Sequence, residues 1–269
     1  MLNQSNRPAG SYGRGVASAF AKEKITAVKP GEGGKGMQRE GLANNNFVSV
    51  VGKIVSDYTF SHEVFGEGFY RFSMEVSRLS DAADLLPVTI SERIMDRERF
   101  TVGSIVHVTG QVRSYNSFIE SENRNRLVLT IFARDYTEPD EKVLRNPNEV
   151  TLNGFICKPP VYRTTPFGRE IADLLIAVNR SYNKSDYIPC ITWGRNARFG
   201  SKLVVGDSIK VVGRMQSRGY QKKTDAGDVI DKIAYEVSVA KIELASADKE
   251  EAVALEQPLS AGAENLENV

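Results

Sequence analysis

The sequence predicts an all-β protein in which one strand pattern occurs twice. Identical residues recur 102 positions apart through most of the pattern, and 103 positions apart after a one-residue insertion. The matched pairs are Gly52 and Gly154, Arg78 and Arg180, Pro87 and Pro189, Arg93 and Arg195, Gly103 and Gly206, and Gly110 and Gly213. A constant offset over these landmarks indicates an internal repeat. We expect features kept by both copies to serve the fold, and features kept by one copy to serve function.

Both copies show the two-residue alternation of β-strands. Apolar residues or glycine occupy every second position over Val106–Val112 in the first copy and over Ile209–Met215 in the second. A last alternating strand follows over Leu127–Ile131 and Ile233–Val239. Because clusters of Gly, Asn and Asp separate such segments, the pattern indicates antiparallel β-structure.

A weaker helical signal occurs once in each copy. It covers Arg93–Arg99 in the first copy and Asn196–Lys202 in the second, just before the fourth strand. Five strands of uneven length with one short helix before the fourth are typical of the OB-fold, a small Greek-key barrel. The predicted architecture is therefore two tandem OB-fold five-stranded Greek-key barrels with flexible tails.

The chain has 269 residues, which leaves room for two domains and their tails. We divide it into a flexible, basic, Gly-rich segment (1–45), a first barrel (46–137), a linker (138–147), a second barrel (148–245) and a disordered acidic tail (246–269). The first segment holds seven Lys and Arg against three acidic residues, and the tail holds one Lys against six. Oppositely charged ends predict electrostatic partners, and each end is a candidate partner of the other.

Composition excludes several classes of function. The net charge of +1 argues against a uniformly basic nucleic-acid binder. Cys157 and Cys190 form no CxxC pair and the chain has two histidines, so neither a metal site nor a cofactor is predicted. The same scarcity of histidine leaves no credible catalytic triad, and we do not predict an enzyme. No apolar run approaches the ~20 residues of a membrane span and no signal peptide is recognisable, so we expect a cytoplasmic protein without a membrane partner.

The third strand of the second copy separates core residues from candidate binding residues, because side chains alternate between the two faces of a strand. One face holds Ile188, Cys190 and Thr192, and its counterpart in the first copy is wholly apolar, so we predict that it faces the core. The other face carries Tyr187 and Trp193. The first copy has Leu85 and Ser91 at these positions. Loss of two rings from the outer face, with the inner face kept, indicates a binding role.

Two further aromatic residues and a set of cations accompany this pair. Tyr182 follows the second strand, and Tyr220 lies at the end of the fourth strand or in the loop after it. The cations are Arg163, Arg169, Arg180, Lys184, Arg195, Arg198, Lys202, Arg214, Arg218, Lys222 and Lys223. Rings stack on bases of any identity and cations follow phosphates, so the combination suits sequence-tolerant binding of a single strand. Arg180 and Arg195 discriminate least, because the first copy keeps an arginine at both positions.

Three segments of the second copy resemble the bacterial single-stranded DNA-binding protein family: Ala177–Arg180, Asp186–Arg195 and Gly213–Tyr220. The resemblance covers nearly all of residues 148–243, whereas the first copy is similar only weakly. It implies that Tyr182, Tyr187, Trp193 and Tyr220 stack on the bases of single-stranded DNA. The second barrel is then the main DNA-binding domain, and the protein protects single strands in replication, recombination or repair at the nucleoid.

Two departures from the family pattern change what is expected of the partners. The chain ends in an acidic segment without the Pro-Phe ending through which the family recruits other proteins, so recruitment of replication proteins through the tail is not expected. Family members usually have one barrel in each chain and form homotetramers. Two barrels in one chain therefore imply a homodimer that presents four barrels.

Two other interpretations stay open. Stacking alone does not separate DNA from RNA, so a primosomal or RNA-binding OB-fold protein remains an alternative. The barrels could instead form a protein-interaction scaffold, with the first copy as the working surface.

Overall fold

The computed structural model describes residues 45–78, 80, 82–119, 124–223 and 229–245, and at positions 119, 124, 222 and 223 it describes the backbone alone. The predicted acidic tail (246–269) lies outside the described residues, and so does the predicted flexible segment (1–45) apart from its last residue. Within the described part of the chain, no helix is long and apolar enough to cross a membrane.

Six strands form the first barrel, and five of them close it. In chain order they are β1 Asn46–Ile54, β2 Thr59–Val64, β3 Glu67–Ser77, β4 Ala83–Ser91, β5 Ile105–Ile119 and β6 Arg124–Thr137. The hydrogen-bonded circuit runs β1-β3-β4-β6-β5 and returns to β1. The β4–β6 pair is parallel and the others are antiparallel. This is the predicted Greek-key barrel, and β2 extends its sheet beyond β3.

The second barrel repeats this circuit. Its strands are β7 Asn148–Ile156, β8 Val161–Thr164, β9 Glu170–Arg180, β10 Lys184–Trp193, β11 Ser208–Lys223 and β12 Val229–Leu244. The strands β7-β9-β10-β12-β11 close on β7, again with one parallel pair, β10–β12. A 3-10 turn, Ser181–Asn183, joins β9 to β10. A short helix, Glu141–Leu144, lies between the barrels. Two OB-fold barrels, as predicted, therefore account for the described chain.

The predicted helices have different outcomes in the two copies. The second copy forms one at Arg195–Gly200, as its pattern indicates. The prediction for Arg93–Arg99 is wrong, because this segment forms turns. Here the side chain of Ser91 accepts a hydrogen bond from the Arg93 amide, and that of Asp96 accepts one from the Arg99 amide. Such local side-chain bonds compete with a continuous helical ladder.

The glycines that recur in both copies have matching structural reasons. A Cβ added at Gly110 would lie 2.0 Å from the Phe132 carbonyl oxygen, and one at Gly213 would lie 2.2 Å from the Ser238 carbonyl oxygen. Each glycine lies at a register shift of its ladder, where two backbones approach closely. This agreement supports the expectation that landmarks shared by both copies serve the fold.

The two barrels join through their first strands. β1 and β7 pair in antiparallel orientation, with Val48 opposite Val150 at the centre of the register. All twelve strands thereby form one continuous hydrogen-bonded sheet. Asn46 lies opposite Leu152, and Val50 lies opposite Asn148, so the register is the same read from either copy. The barrels are thus related by an approximate two-fold axis through this junction, which the sequence pattern did not predict.

Candidate nucleic-acid interface

The strand β10 presents two faces, as predicted from its alternation. Ile188, Cys190 and Thr192 are buried in the barrel, which confirms the predicted core face. On the outer face, Trp193 keeps 40% of its surface exposed. Ile191 shares that face but is only 3% exposed, beside Asp173 of β9. The outer face is therefore covered at its centre and open at the end that carries Trp193.

Tyr182 is the most exposed of the four predicted stacking residues. It lies in the 3-10 turn between β9 and β10, and 94% of its surface is exposed. Its φ angle is +62° and that of the next residue, Asn183, is +54°. The left-handed region costs a residue with a side chain roughly 1–2 kcal/mol, and such strain is concentrated at functional sites. The Tyr182 ring packs against little of the protein, so it does not offset the cost of this backbone conformation.

Tyr187 lies at the boundary between the barrels. Its backbone N–H donates to Ser114 Oγ of the first barrel at 2.7 Å. Its side chain is half-buried, and this burial raises the pKa of the phenol.

Tyr220 lies within β11, opposite Lys232 of β12, which settles its position in a strand rather than a loop. It is half-exposed and, by alternation from the buried Met215, projects from the outer face. Tyr187, Trp193 and Tyr220 thus lie on the outer face of one barrel, and Tyr182 projects from the hairpin above it. Each stacking role remains a prediction.

Five of the predicted phosphate-binding arginines are engaged in ion pairs. Arg163 pairs with Asp173 at 3.0 Å, Arg198 with Glu170 at 2.8 Å, and Arg218 with Glu236 at 3.3 Å. The other two, Arg180 and Arg214, pair with fully buried carboxylates at the junction. A cation held by a carboxylate has part of its charge neutralised, so it contributes less to phosphate binding than a free one.

Four other predicted cations are exposed on the surface of the second barrel: Arg169, Lys184, Arg195 and Lys202. Arg169 lies in the loop between β8 and β9, and Lys184 begins β10, two residues after Tyr182. Arg195 begins the short helix that follows Trp193, and Lys202 lies just beyond its end. The side chains of Lys222 and Lys223 lie outside the described residues. All these contacts stay predictions, and the four exposed cations are the strongest among them.

Two buried carboxylates at the junction were not found from the sequence. Asp84 receives hydrogen bonds from Arg78 Nε at 2.8 Å, Arg214 Nη1 at 3.0 Å and the Ser217 amide at 2.7 Å. Its side chain is completely buried, so these bonds replace its lost hydration. Arg214 and Ser217 belong to the other barrel, and Asp84 therefore fixes one barrel against its neighbour.

Asp186 does the same in the opposite direction. It pairs with Arg180 of its own barrel at 3.1 Å and with Arg113 of the first barrel at 3.2 Å. It also accepts from the Ser114 amide at 2.8 Å. Asp84 and Asp186 are 102 positions apart, and an acidic residue kept at matched positions of two strands was the signal that could have revealed them.

The described side chains include no group of three or more metal-binding residues that could hold an ion. Both thiols are protonated under ordinary conditions, because burial raises the pKa of Cys157 to about 11 and raises that of Cys190 as well. Neither thiol is suited to nucleophilic chemistry.

The barrel circuit defines an OB-fold protein, and its second barrel carries exposed aromatic rings. The model of the family described as "Single-strand binding protein family" matches residues 147–245.

Individual relatives give the same result. Single-stranded DNA-binding protein 1 of Staphylococcus aureus (strain COL) is 37% identical over 83 residues, which are 28% of this chain and 50% of the relative. Single-stranded DNA-binding protein A of Bacillus subtilis (strain 168) is 36% identical over 83 residues, 28% of this chain and 48% of the relative. The chain thus spans about half the length of these curated relatives.

A solved structure resembles both barrels together. The crystal structure of wild-type single-stranded DNA binding protein from Thermus aquaticus superposes with a TM-score of 0.60 at 18% identity. The match covers 81% of this chain and 96% of the other. At this identity the similarity establishes the fold, and it extends to the first barrel, which the family model does not reach.

Proposed function

We propose that the second barrel binds single-stranded DNA without sequence preference. The observation that carries the proposal is Tyr182, a tyrosine displayed almost completely to solvent on a left-handed turn. Ser80 occupies the same place in the first copy, so the fold does not require a ring here. The match of residues 147–245 to the single-strand binding family supports the same assignment.

Binding combines ring stacking with neutralisation of phosphates. Tyr182, Tyr187, Trp193 and Tyr220 each offer a flat face to a base, which contributes roughly 1–3 kcal/mol for each stacked base. The exposed cations Arg169, Lys184, Arg195 and Lys202, together with Lys222 and Lys223, contact phosphates and release counterions. We assign Arg180 and Arg214 to the junction in the first place, because both hold buried carboxylates.

At the level of the whole protein, we propose that the chain protects single strands exposed in replication, recombination or repair. Residues 148–245 form the main DNA-binding domain, residues 46–137 complete the assembly, and residues 138–147 connect them. The match with the Thermus aquaticus protein over both barrels supports a tandem arrangement of this kind. Two such chains would form a homodimer with four barrels.

Fluorescence of Trp193 tests the proposal directly. It is the single tryptophan of the chain, so its emission reports on one position of the second barrel. Titration with oligo-dT should quench the emission strongly, and the affinity should fall as salt rises because phosphate contacts release counterions. Unchanged emission at low salt would refute the stacking role of Trp193. A protein-interaction scaffold would show neither quenching nor salt-dependent binding.

Titration with oligo-U of equal length separates DNA from RNA as the preferred ligand. The proposal expects comparable ring stacking with both, since the bases offer similar faces, and a tighter complex with DNA. Tighter binding of oligo-U would point to contacts with the 2′-hydroxyl and so to an RNA-binding OB-fold protein.

A further inference from the structure

The outer face of the first barrel carries rings at positions that the second barrel does not use. In the second barrel, Trp193 of β10 lies opposite Ile171 of β9, which in turn lies opposite Arg163 of β8. This row of three residues crosses the sheet beside the site described above. The repeat places an equivalent row in the first barrel, and its composition can be compared position by position.

In the first barrel the aromatic ring of this row lies on the neighbouring strand. Ser91 of β4 occupies the place of Trp193, and its hydroxyl donates to Glu67 rather than facing a ligand. Phe69 of β3 lies opposite Ser91, where the second barrel has Ile171, and His62 of β2 lies opposite Phe69. The first copy therefore lost the aromatic residue from one strand and has two ring side chains on the next two.

These rings continue into a ladder across the outer face. The rings of His62 and Phe69 stack with centroids 5.0 Å apart and planes 11° from parallel. Phe69 contacts Phe132 of β6, with centroids 5.6 Å apart. Phe69 is only 9% exposed between its neighbours, whereas His62 is exposed at the end of the ladder and Phe132 is half-exposed. None of the three belongs to the buried core cluster, so the ladder is a feature of the outer surface.

Arginines lie over the rings of the same face. Arg71 places its guanidinium 5.5 Å from the ring centre of Tyr115, and Arg113 lies 5.7 Å from the ring centre of Phe132. Arg71 is exposed, and Tyr115 keeps 37% of its surface exposed. Guanidinium planes stacked on rings offer both a flat surface for a base and a charge for its phosphate.

The two barrels also differ in charge at matched positions of this face. Where the first barrel has Arg71 and Thr130, the second has Asp173 and Glu236, two buried carboxylates that hold Arg163 and Arg218. Acidic groups thus neutralise arginines at the centre of the second face, while the centre of the first face keeps Arg71 on a ring. The first face is the more cationic of the two at its centre.

We propose that the outer face of the first barrel is a second site for single-stranded DNA, built on the His62–Phe69–Phe132 ladder and the Arg71–Tyr115 pair. The proposal rests on the proposed function of the second barrel and extends its DNA path onto the first. The amide of Tyr187 is bonded to Ser114 of β5, and Tyr115 is the next residue of that β-strand. A DNA strand that passes Tyr187 therefore reaches β5 at the position of Tyr115. The site uses positions other than those of the stacking residues of the second barrel, which explains why comparison of matched residues misses it.

A triple variant on exposed side chains tests the site: His62→Ala, Arg71→Gln and Tyr115→Ala in the full chain. Two oligo-dT probes are titrated while Trp193 reports from the second barrel. One of about 8 nucleotides fits a single OB-fold, and one of about 30 spans two. The triple variant should bind the long probe about tenfold more weakly or worse, and the short probe within about twofold of the native protein. Phe60→Ala is the matched control, because this exposed ring of β2 lies opposite Tyr70 rather than in the ladder.

The outcomes separate the two proposals. If neither probe quenches Trp193 in the native protein, the proposed function of the second barrel is refuted. If quenching is normal and the triple variant binds the long probe as tightly as the native protein, the site on the first barrel is refuted. A loss of equal size in Phe60→Ala would also refute it, because the effect would then not depend on the ladder.

Photochemical crosslinking of the native chain provides evidence that needs no variant. Long oligo-dT with 5-iodouracil in place of some bases is irradiated in the complex, and the attached peptides are identified by mass spectrometry. Attachment to His62, Phe132 or Tyr115 supports the site. Attachment confined to residues 148–223 overturns it.

Discussion

The two barrels have similar inner faces and different outer faces. Inside, the copies agree: Val88 and Ile90 of β4 are completely buried, as Ile188 and Cys190 of β10 are nearly or completely buried. Outside, the same strands diverge, with Ser91 bonded to Glu67 in one barrel and Trp193 exposed in the other. Packing constrains the inner face in both copies, whereas the outer face is free to change with function. A repeat within one chain thus separates residues needed for folding from residues available for binding.

At the junction between the barrels, both copies keep a buried aspartate at the matched position. Asp84 and Asp186 each hold one arginine of their own barrel and one of the other. Symmetric contacts of this kind are expected if the barrels descend from a pair of identical partners.

The largest expected effect comes from breaking this symmetric junction. Asp84→Asn and Asp186→Asn each leave two partly buried arginines without their carboxylate partner, which costs at most about 3–5 kcal/mol of unfolding free energy. Chemical denaturation of each variant measures the loss. Asp57→Asn, at an exposed carboxylate of the first barrel, is the control and should change little. Losses that differ several-fold between the two variants would show that the junction is symmetric in geometry alone.

The outer faces differ most at the turn between β3 and β4 in the first barrel and between β9 and β10 in the second. Tyr182→Ala should weaken binding of oligo-dT by about 1–3 kcal/mol, or roughly 5- to 150-fold, because one stacked base is lost. The same titration on Ser80→Ala, the matched position of the first copy, should give the native affinity. Stability should not fall in Tyr182→Ala, since the ring packs little. A change of less than twofold in affinity would remove Tyr182 from the site.

A smaller difference, in the salt dependence of binding, is expected between Arg195, which follows β10, and the matched Arg93, which follows β4. Arg195 is exposed at the start of a helix, whereas Arg93 pairs with Glu67 at 3.1 Å. Arg195→Gln should therefore reduce the slope of log K against log salt by about 0.7, the value for one phosphate contact on a single strand. Arg93→Gln should leave the slope unchanged. Equal reductions would mean that both barrels contact phosphate through this position.

The sequence was sufficient for the features that depend on one strand at a time. Alternation along β10 placed Ile188 and Cys190 in the core, and the recurring glycines marked the positions where backbones approach. Exposure of Tyr182 and Trp193 follows from the same local pattern combined with the comparison of copies. These properties are set by residues a few positions apart.

Features that depend on distant strands were not predictable. The alternation of its own strand predicts that Arg214 is a surface cation. In the structure Arg214 reaches Asp84 of the first barrel, because β1 pairs with β7, which lies 102 residues further along the chain. Ile191 is buried on the outer face, where it lies opposite Asp173 of β9, and Asp173 pairs with Arg163 of β8. The ring ladder of the first barrel likewise joins β2, β3 and β6, and no single strand shows it. The two-residue alternation predicts which face of the sheet a side chain lies on. It does not predict which residues of other strands contact that side chain.

The pairing of β1 with β7 also determines how the protein responds to dilution. A junction between separate chains opens when the protein concentration falls below its dissociation constant. Here the partner strand is tethered by residues 138–147, and a short tether maintains an effective concentration of the order of millimolar at any dilution. Two neighbouring barrels therefore remain together in a single molecule at nanomolar concentration. The edges of β1 and β7 also stay covered, which denies them to the edge strands of other proteins.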